Sequence, residues 1–517
     1  MADIRSIKSI PANLKEFYNI PDRDPNNPIK IGIYESLDQY IFKDDCTNYI
    51  KTYGNNPFHL DNIINNAIFS GITSENSSKG GIYFIGDEEA TNKAEKSWKN
   101  SGTAGGEASL DIQIILGICQ IGLHPNDQIW IYNQNSDSLS WDSFFLYLES
   151  NNYIPKIWSI SYGGDEIQNN ISTDLVSTIN KLSKDDYQIF IASGDAGSSG
   201  CRGNYNGAIR PSDPATYPNI TAVGGTNIIQ DDSSNKYEIP SITDRTVDCT
   251  YKAGITSGGG MEGVYSDTNN SITISPSFKN SESEPILELQ KDIVNTYINE
   301  LPSSSQNELP SPNYTIPNLV KELKTYYNNN KIYPRAYPDI SGSAESYPII
   351  INGQDLGKED SGADGTSAST PLIASIYALI MSNLNLNIHG KFNQYLYNAY
   401  KSPDMTKIFK PVISKCVQTD SNKNANGSCN GGNPPYGWAI ADKRKSTYTK
   451  KDRGYGFDCV VGLGSINATK LQEYISNQNI RPKPTPKPTP KPTPKPTDNI
   501  SITKLEIIKN NIHVTYK

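Results

Sequence analysis

The chain has 517 residues, 36% of them hydrophobic and 20% charged, so it is long enough for one large α/β enzyme domain and too apolar for wholesale disorder. The formal net charge of −8 at pH 7 argues against a nucleic-acid partner. The sequence contains no apolar run of about eighteen residues, so we expect no membrane-spanning helix. Its first twenty residues lack the apolar core of a secretory signal, which leaves the cellular compartment unknown.

Cysteines and histidines restrict the possible chemistry. The seven cysteines are odd in number and form no Cys-x-x-Cys pair, which argues against a disulfide scaffold and against a zinc cluster. Only four histidines are present, at positions 59, 124, 389 and 513. None of them opens a helix in a His-Gly-Thr context, which is the setting expected for the base of a Ser-His-Asp enzyme whose histidine begins an early helix.

Short apolar runs alternate with helical patterns through the first 230 residues. Helices are predicted at 107–122 and 171–183, and buried strands are predicted at 29–36, 81–86, 128–133, around 155, 188–195 and 219–226. This alternation predicts an α/β fold with a mainly parallel central sheet and helices on both faces. In such sheets functional residues collect at the carboxyl ends of the strands.

A Gly-Thr-Ser-Ala-Ser-Thr-Pro stretch at 365–371 opens an apolar helix and places Ser367 at its N-terminus. Backbone amides at a helix N-terminus can stabilise an oxyanion, so Ser367 is a candidate nucleophile. A serine in this position can also be an ordinary helix cap. A nucleophilic serine requires a base, and without a suitable histidine the base is sought among the carboxylates.

Two acidic residues share one face of the predicted helix within 101–122. Glu107 and Asp111 are four residues apart, and the rest of this helix is apolar nearly all round, which is typical of a buried helix. Burial and like charge both raise the pKa of such carboxyl groups. The alternative is a solvated acidic helix start.

A third acidic residue, Asp195, directly follows a predicted buried strand in a Ser-Gly-Asp-Ala-Gly turn. An aspartate in a turn commonly accepts hydrogen bonds from nearby backbone amides. Its position at the carboxyl end of a parallel strand also makes a role in a functional site plausible.

The Glu-x-x-x-Asp helix, the Ser-Gly-Asp-x-Gly turn and the Gly-Thr-Ser-Ala-Ser-Thr-Pro helix, in this order, resemble the sedolisin family of serine-carboxyl peptidases. Further segments similar to the family lie at 158–164, 217–226, 257–260, 336–342 and 457–465. The resemblance extends from about residue 8 to about residue 475. It implies a subtilisin-like fold.

The resemblance also implies a role for each candidate. Ser367 would be the nucleophile and Glu107 the general base, with Asp111 holding and polarising Glu107. Asp195 would donate a hydrogen bond from a protonated carboxyl group into the oxyanion hole. Because a carboxylic acid donates only while it is neutral, an acidic operating pH follows.

By the same resemblance, two segments would flank an extended polypeptide substrate; they comprise Ser161, Tyr162, Gly163, Ser257, Gly258 and Gly259. Purely structural strands and turns are the alternative. We expect a monomer that acts on polypeptides in an acidic, extracellular or lysosome-like compartment.

The family carries one Ca²⁺ site, and the resemblance assigns the Gly454 and Gly456 carbonyls and the Asp458 carboxylate to it. Calcium takes six to eight oxygen ligands, so a second acidic residue is needed. Asp404 fits the family's Asp-hydrophobic-Thr triplet. The segment 409–416 aligns better with the flanking residues but contains no Asp, which leaves the second carboxylate open.

Three segments are expected along the chain: a serine-carboxyl peptidase domain at 1–478 with no propeptide visible, a linker at 479–498 and a short tail at 499–517. Pro-Lys-Pro-Thr repeats in the linker predict an extended, stiff spacer. Recognition by a proline-binding groove is the alternative, and the partner of the tail is unknown.

The hypothesis is therefore an acid-acting serine-carboxyl endopeptidase. A tripeptidyl exopeptidase of the same family is one alternative. A non-catalytic relative that serves as a structural or binding protein is another, although a scaffold has no need to keep all four chemical residues together.

Overall fold

The computed structural model describes residues 5–54, 58–135, 141–166, 172–198, 209–230, 234–241, 253–266, 271–278, 285–301, 319–330, 332–357, 362–387, 389–413, 454–480, 502–508 and 511–516. The chain divides into two compact units, residues 1–474 and 475–517, and each is described by itself. The polar segments 302–318 and 414–453 lie outside the described residues, as does most of the predicted Pro-Lys-Pro-Thr linker.

The described strands are β1 (Arg5–Ser6), β2 (Lys30–Glu35), β3 (Ala67–Ile68), β4 (Gly81–Gly86), β5 (Gln128–Asn133), β6 (Ile157–Ile160), β7 (Gly164–Asp165), β8 (Gln188–Ala192), β9 (Ser212–Asp213), β10 (Ile220–Gln230), β11 (Lys236–Pro240), β12 (Gly260–Met261), β13 (Val264–Ser266), β14 (Ile272–Ile274), β15 (Ala336–Tyr337), β16 (Ile340–Ser343), β17 (Ile350–Ile351), β18 (Gln354–Asp355), β19 (Phe409–Lys410), β20 (Ser465–Ile466), β21 (Ile502–Ile508) and β22 (Asn511–Tyr516).

The described α-helices are α1 (Pro11–Tyr18), α2 (Lys43–Tyr53), α3 (Leu60–Asn65), α4 (Glu88–Trp98), α5 (Gly106–Ile118), α6 (Trp141–Ser150), α7 (Thr173–Lys184), α8 (Pro285–Glu300), α9 (Leu319–Asn330), α10 (Thr366–Asn383), α11 (Phe392–Tyr400), α12 (Met405–Ile408) and α13 (Ala468–Ile480). Within the described parts of the chain, none of these helices combines the length and apolar character needed to cross a membrane.

The larger unit is built on a ten-stranded sheet in the order β1-β10-β8-β6-β2-β5-β4-β3, with β11 and β16 also paired to β10. The strands β16, β10, β8, β6, β2, β5, β4 and β3 pair in parallel, whereas β1 and β11 run antiparallel to β10. All residues of β5, β6 and β8 are buried, as expected for parallel strands covered on both faces. The predicted mainly parallel α/β fold is confirmed.

Two apolar helices, α5 and α10, pack against each other beside the sheet. Helix α5 begins one residue before the predicted segment 107–122 and ends four residues before its end, and most of its residues are buried. Helix α10 begins at Thr366 and is buried along nearly its whole length, with contacts to β6, β8, β10 and β16. A helix that is apolar on all sides is buried, so α5 and α10 are fixed by their packing. This packing also fixes the positions of the few polar side chains at their N-termini.

The smaller unit contains an antiparallel hairpin of β21 and β22. Leu505 is opposite Val514 and Ile507 is opposite Ile512 in its register. The alternating pattern of the tail sequence therefore forms paired strands.

Candidate active site

The site lies where three neighbouring parallel strands, β8, β6 and β2, reach their carboxyl ends. Asp195 follows β8, Ser161 follows β6, and Glu35 is the last residue of β2. Parallel strands end at the same edge of a sheet, so residues distant in sequence meet there. The N-termini of α5 and α10 bring Glu107 and Ser367 to the same edge, because both residues interact with groups on these loops.

Ser367 is the second residue of α10 and is partly exposed in a cleft. Its hydroxyl donates to the Ser161 carbonyl oxygen at 3.4 Å. Pro371 has no N–H, so the Ser367 carbonyl lacks its usual helical donor four residues later. The Ser161 hydroxyl lies 3.1 Å from this carbonyl oxygen and can donate to it. Because of the proline, the Ser367 carbonyl oxygen is available for a hydrogen bond that links the start of α10 to the loop after β6.

Glu107 lies in the first turn of α5, where its backbone N–H donates to Gln39 Oε1 at 3.1 Å. Its carboxyl atom Oε1 is buried without a hydrogen-bond partner among the described residues. Burial is the main cause that raises the pKa of Glu107 to about 7, and Asp195 adds to it, while the nearby Ser367 and Ser161 hydroxyls lower it. Glu107 is therefore a carboxyl group that can take up a proton close to Ser367.

Asp111 lies one turn further along α5 and is fully buried. The Ser161 hydroxyl is 2.8 Å from both of its carboxyl oxygens. Burial, followed by the charges of Glu35 and Glu107, holds the pKa of Asp111 well above its usual range, and the Ser161 hydrogen bond lowers it. An acid with a raised pKa stays protonated, and a protonated carboxyl group can donate a hydrogen bond.

Glu35 is a third inner carboxyl group of the site. It is almost fully buried, and Oε2 accepts a hydrogen bond from the Tyr162 hydroxyl at 2.9 Å. Burial and then the charge of Glu107 hold the pKa of Glu35 well above its usual range, while the Tyr162 hydrogen bond lowers it. Glu35, Glu107 and Asp111 therefore titrate as one coupled cluster.

Asp195 faces Ser367 from the other side of the cleft. Its Oδ1 accepts hydrogen bonds from the Thr366 N–H at 2.7 Å and from the Thr366 hydroxyl at 2.8 Å. A Cβ at Gly365 would lie 3.2 Å from Asp195 Oδ2, so glycine allows this close approach of the carboxyl group to the helix start. Burial raises the pKa of Asp195, and the Thr366 hydrogen bonds lower it.

The cleft beside Ser367 has a volume of about 210 Å³. Ser161 and Gly163 line it from the loop after β6, and Ser193 and Asp195 line it from the loop after β8. No histidine is among its described lining residues. The chemistry that the cleft can support therefore rests on a serine hydroxyl and carboxyl groups.

The predicted substrate-flanking residues divide into two groups. Ser161 and Gly163 line the cleft, whereas the Tyr162 side chain reaches back to Glu35. The stretch Ser257–Gly259 is buried; the N–H of Gly258 donates to Gly194 O at 2.7 Å and the N–H of Gly259 to Gly197 O at 3.3 Å. A Cβ at Gly258 would lie 2.3 Å from the Ser193 carbonyl oxygen. These contacts support the turn that carries Asp195, and a substrate contact at 257–259 stays a prediction.

Sequence reasoning missed Glu35, Thr366 and the contact of the Ser161 hydroxyl with Asp111. Glu35 could have been found from its position, because it ends a predicted buried strand at the functional edge of the sheet. The Ser161 contact had no such signal, since its partner lies 50 residues away in the sequence.

The predicted calcium ligands are only partly brought together. Asp458 is fully buried, and its Oδ1 accepts the N–H groups of Val460 and Val461 at 3.0 and 2.9 Å. The Gly454 carbonyl accepts the Val412 N–H. Asp404 instead precedes α12, with its side chain exposed and 2.8 Å from Lys407 Nζ.

Across the described residues, no group of three or more Asp, Glu, His or Cys side chains could hold a metal ion. The predicted ligands supply one buried carboxylate, that of Asp458, and so fit only part of the oxygen shell that calcium requires. A calcium site, with Gly454 and Gly456 as carbonyl ligands, stays a proposal.

Comparisons with known proteins identify the family of the chain. The model of the subtilase family matches residues 99–400, which is more than half of the chain. Tripeptidyl-peptidase 1 of Bos taurus is 26% identical over 347 residues, covering 65% of this chain and 50% of the relative. The Mus musculus protein of the same name is 24% identical over 447 residues, covering 83% of this chain and 62% of the relative. The chain thus spans half to about three fifths of the length of these curated relatives.

Among solved structures, the fold is similar to that of a Pseudomonas sedolisin, a serine-carboxyl proteinase complexed with two molecules of pseudo-iodotyrostatin. The TM-score is 0.54 and the identity 18%, with 92% of this chain and 99% of that chain covered. The subtilisin-like fold expected from the sequence motifs is confirmed.

Proposed function

The chain belongs to the subtilase family, with motifs of the sedolisin type, and on that premise we propose that it is a serine-carboxyl peptidase that hydrolyses peptide bonds at acidic pH. The observation that carries the proposal is the placement of Ser367 at the start of a buried helix, between the carboxyl groups of Glu107 and Asp195. No histidine lines the described cleft, so a carboxylate takes the place of the base.

In the proposed first step, Ser367 Oγ attacks the carbonyl carbon of the scissile bond, and its proton passes to Glu107. The resulting oxyanion accepts a hydrogen bond from the protonated Asp195 carboxyl group, which Thr366 holds in place. Glu107 then gives its proton to the leaving amine, and an acyl-enzyme remains. Water hydrolyses the acyl-enzyme by the same proton transfers in the second step.

Asp111 would act on Glu107 rather than on the substrate. Because its pKa is held above that of an ordinary carboxyl group, Asp111 keeps its proton and can donate to ionised Glu107. Ser161 orients Asp111 through its hydroxyl. When Glu35 and Asp111 are protonated and Glu107 is ionised, these three carboxyl groups carry one negative charge. It lies on Glu107, which interacts with the nucleophile Ser367.

The acidic operating range would follow from Asp195. A carboxyl group in the oxyanion hole works only while it is protonated, and burial raises the pKa of Asp195. The rate should therefore fall as the pH rises through that pKa. It should also fall as the pH drops below the pKa of Glu107, which burial raises to about 7, so the form with ionised Glu107 and protonated Asp195 is a minor part of the enzyme in acid.

The decisive experiment combines a pH series of peptide-library cleavage with labelling by a peptide aldehyde. Ser367→Ala and Glu107→Gln should each lower kcat/KM by at least about 10³-fold, as for removal of a triad member. The aldehyde should form a hemiacetal with the wild type and none with Ser367→Ala. The exposed Glu89→Gln on α4 is the matched control for Glu107→Gln and should leave turnover unchanged. Near-normal activity of Glu107→Gln would rule out the proposed base.

Endopeptidase action is the first proposal, and tripeptidyl exopeptidase action is the second because the curated relatives carry that name. The two differ in their need for a free substrate N-terminus. Cleavage of an N-acetylated peptide in its middle supports endopeptidase action. Release of tripeptides from free N-termini alone supports the exopeptidase.

A further inference from the structure

The cleft extends from Ser367 toward a small antiparallel ribbon formed by β7 and β9, where Gly164 pairs with Asp213 and Asp165 with Ser212. Asp165, Arg210 and Ser212 line this far end of the cleft. The ribbon is held in place by the hydrogen bond from the Ser212 N–H to the Tyr337 hydroxyl at 2.8 Å. The mechanism proposed above uses none of these side chains.

The near end of the cleft fixes which part of a peptide enters it. Ser367 attacks the scissile carbonyl carbon, and Asp195 binds its oxygen, so this carbonyl lies at the cleft mouth. In this arrangement the residue that supplies this carbonyl, on the amino side of the scissile bond, is the one whose side chain would enter the cleft. A Cβ at Gly164 or at Gly194 would meet nothing within 4 Å, so these walls leave room for a long side chain.

Charge at the far end comes from one guanidinium and from several acidic groups. The backbone of Arg210 is anchored by the hydrogen bond from its main-chain N–H to the Ser198 carbonyl oxygen at 2.9 Å. Four acids lie on or next to the elements at this end of the cleft: Asp165 on β7, Glu166 directly after it, Asp213 on β9 and Glu262 directly after β12. The Glu166 N–H donates to the carbonyl oxygen of Pro211, the residue after Arg210, at 2.7 Å.

Loss of solvent contact raises the pKa values of three of these acids. Burial raises the pKa of Asp213 to about 6 and that of Glu262 to about 8. Burial also raises the pKa of Glu166, whose carboxyl group accepts the Thr216 hydroxyl at 2.6 Å. Protonation of these acids removes negative charge near Arg210, whose guanidinium stays positively charged.

We propose that Arg210 makes this cleft selective for peptides with an acidic side chain, above all Glu, on the amino side of the scissile bond. This inference rests on the proposed peptidase function and names its substrate class. A guanidinium offers several N–H donors in a planar fork that matches a carboxylate, and a charged hydrogen bond in a partly closed cleft is stronger than one in water. Asp165 acts in the opposite direction and limits the preference.

The test compares two peptides that differ only by Glu or Gln at this position, at about pH 5.5, where a peptide Glu is ionised and buried acids with pKa values of 6 or more are mostly neutral. The wild type should cleave the Glu peptide with a kcat/KM at least about 10-fold higher than the Gln peptide. Arg210→Gln should bring this ratio to about one, and Arg210→Lys should keep part of it. Asp165→Asn should raise the ratio, because it removes the opposing charge.

Lys156→Gln is the matched control. Lys156 is a partly buried cation immediately before β6, at the opposite end of the sheet, and its loss should leave the Glu-to-Gln ratio unchanged. A ratio near or below one in the wild type, or preferred cleavage after Lys, overturns the inference while the peptidase function stands. Cleavage of no peptide at all by the wild type overturns both. If Arg210→Gln does not fold, the wild-type ratio and its change in Asp165→Asn decide the question.

Discussion

The Ser161 hydroxyl offers a sharp test of the inner carboxyl cluster. It lies 2.8 Å from both oxygens of Asp111, and both side chains are buried. Ser161→Ala removes this hydrogen bond with little change in volume. The same hydroxyl lowers the pKa values of Asp111 and Glu107, so its loss raises both.

The size of the effect follows from the burial of the group that loses its partner. A buried polar group left without its hydrogen bond costs about 1–3 kcal/mol. If this free energy is lost from the arrangement of carboxyl groups that reaches the transition state, kcat/KM drops by about 5- to 150-fold. Because Glu107 must be ionised to accept the proton, a higher pKa moves the acidic limb of the rate profile to higher pH.

The assay is kcat/KM for one peptide from about pH 3 to about pH 9, measured for Ser161→Ala and for Ser159→Ala. Ser159 lies two residues earlier on β6 and is also buried, but its hydroxyl has no hydrogen-bond partner among the described residues. The control should keep the wild-type profile. Superimposable profiles for the two variants would refute the role given to Ser161.

Three other outcomes are expected. Burial keeps Glu35 protonated in acid, so Glu35→Gln, which can still accept the Tyr162 hydroxyl, should leave the acidic limb unmoved; a limb displaced to lower pH would show that Glu35 carries a negative charge beside Asp111. Burial raises the pKa of Glu262 from 4.5 to about 8, so its contribution to stability is full below pH 4.5 and is lost as the pH rises through 8. Glu262→Gln should therefore reduce the fall in Tm between about pH 5 and pH 8, and an unchanged fall would contradict this assignment. If the proposed calcium site exists, saturating Ca²⁺ should stabilise the fold by about 2.7 kcal/mol at a hundredfold excess over Kd, and Asp458→Ala should abolish the gain. Equal melting curves with calcium and with chelator would show that the site is absent.

Local sequence patterns determined the strands, the helices and the chemical candidates. Continuous apolar runs predicted β4 and β5 with their observed bounds, because strands buried on both faces need no polar alternation. The apolar stretch after Thr366 likewise predicted a buried helix that begins beside Ser367. These features depend on near neighbours in the chain, so one sequence is enough to recognise them.

Tertiary structure alone decided which groups act on one another. The order β6-β2 in the sheet puts Glu35 beside the loop that carries Ser161, although the two residues lie far apart in the chain. Burial at this edge, rather than residue type, raises the pKa values of Glu107, Asp111 and Asp195. The exposure of a carboxyl group depends on every element packed around it, and no local pattern encodes that sum.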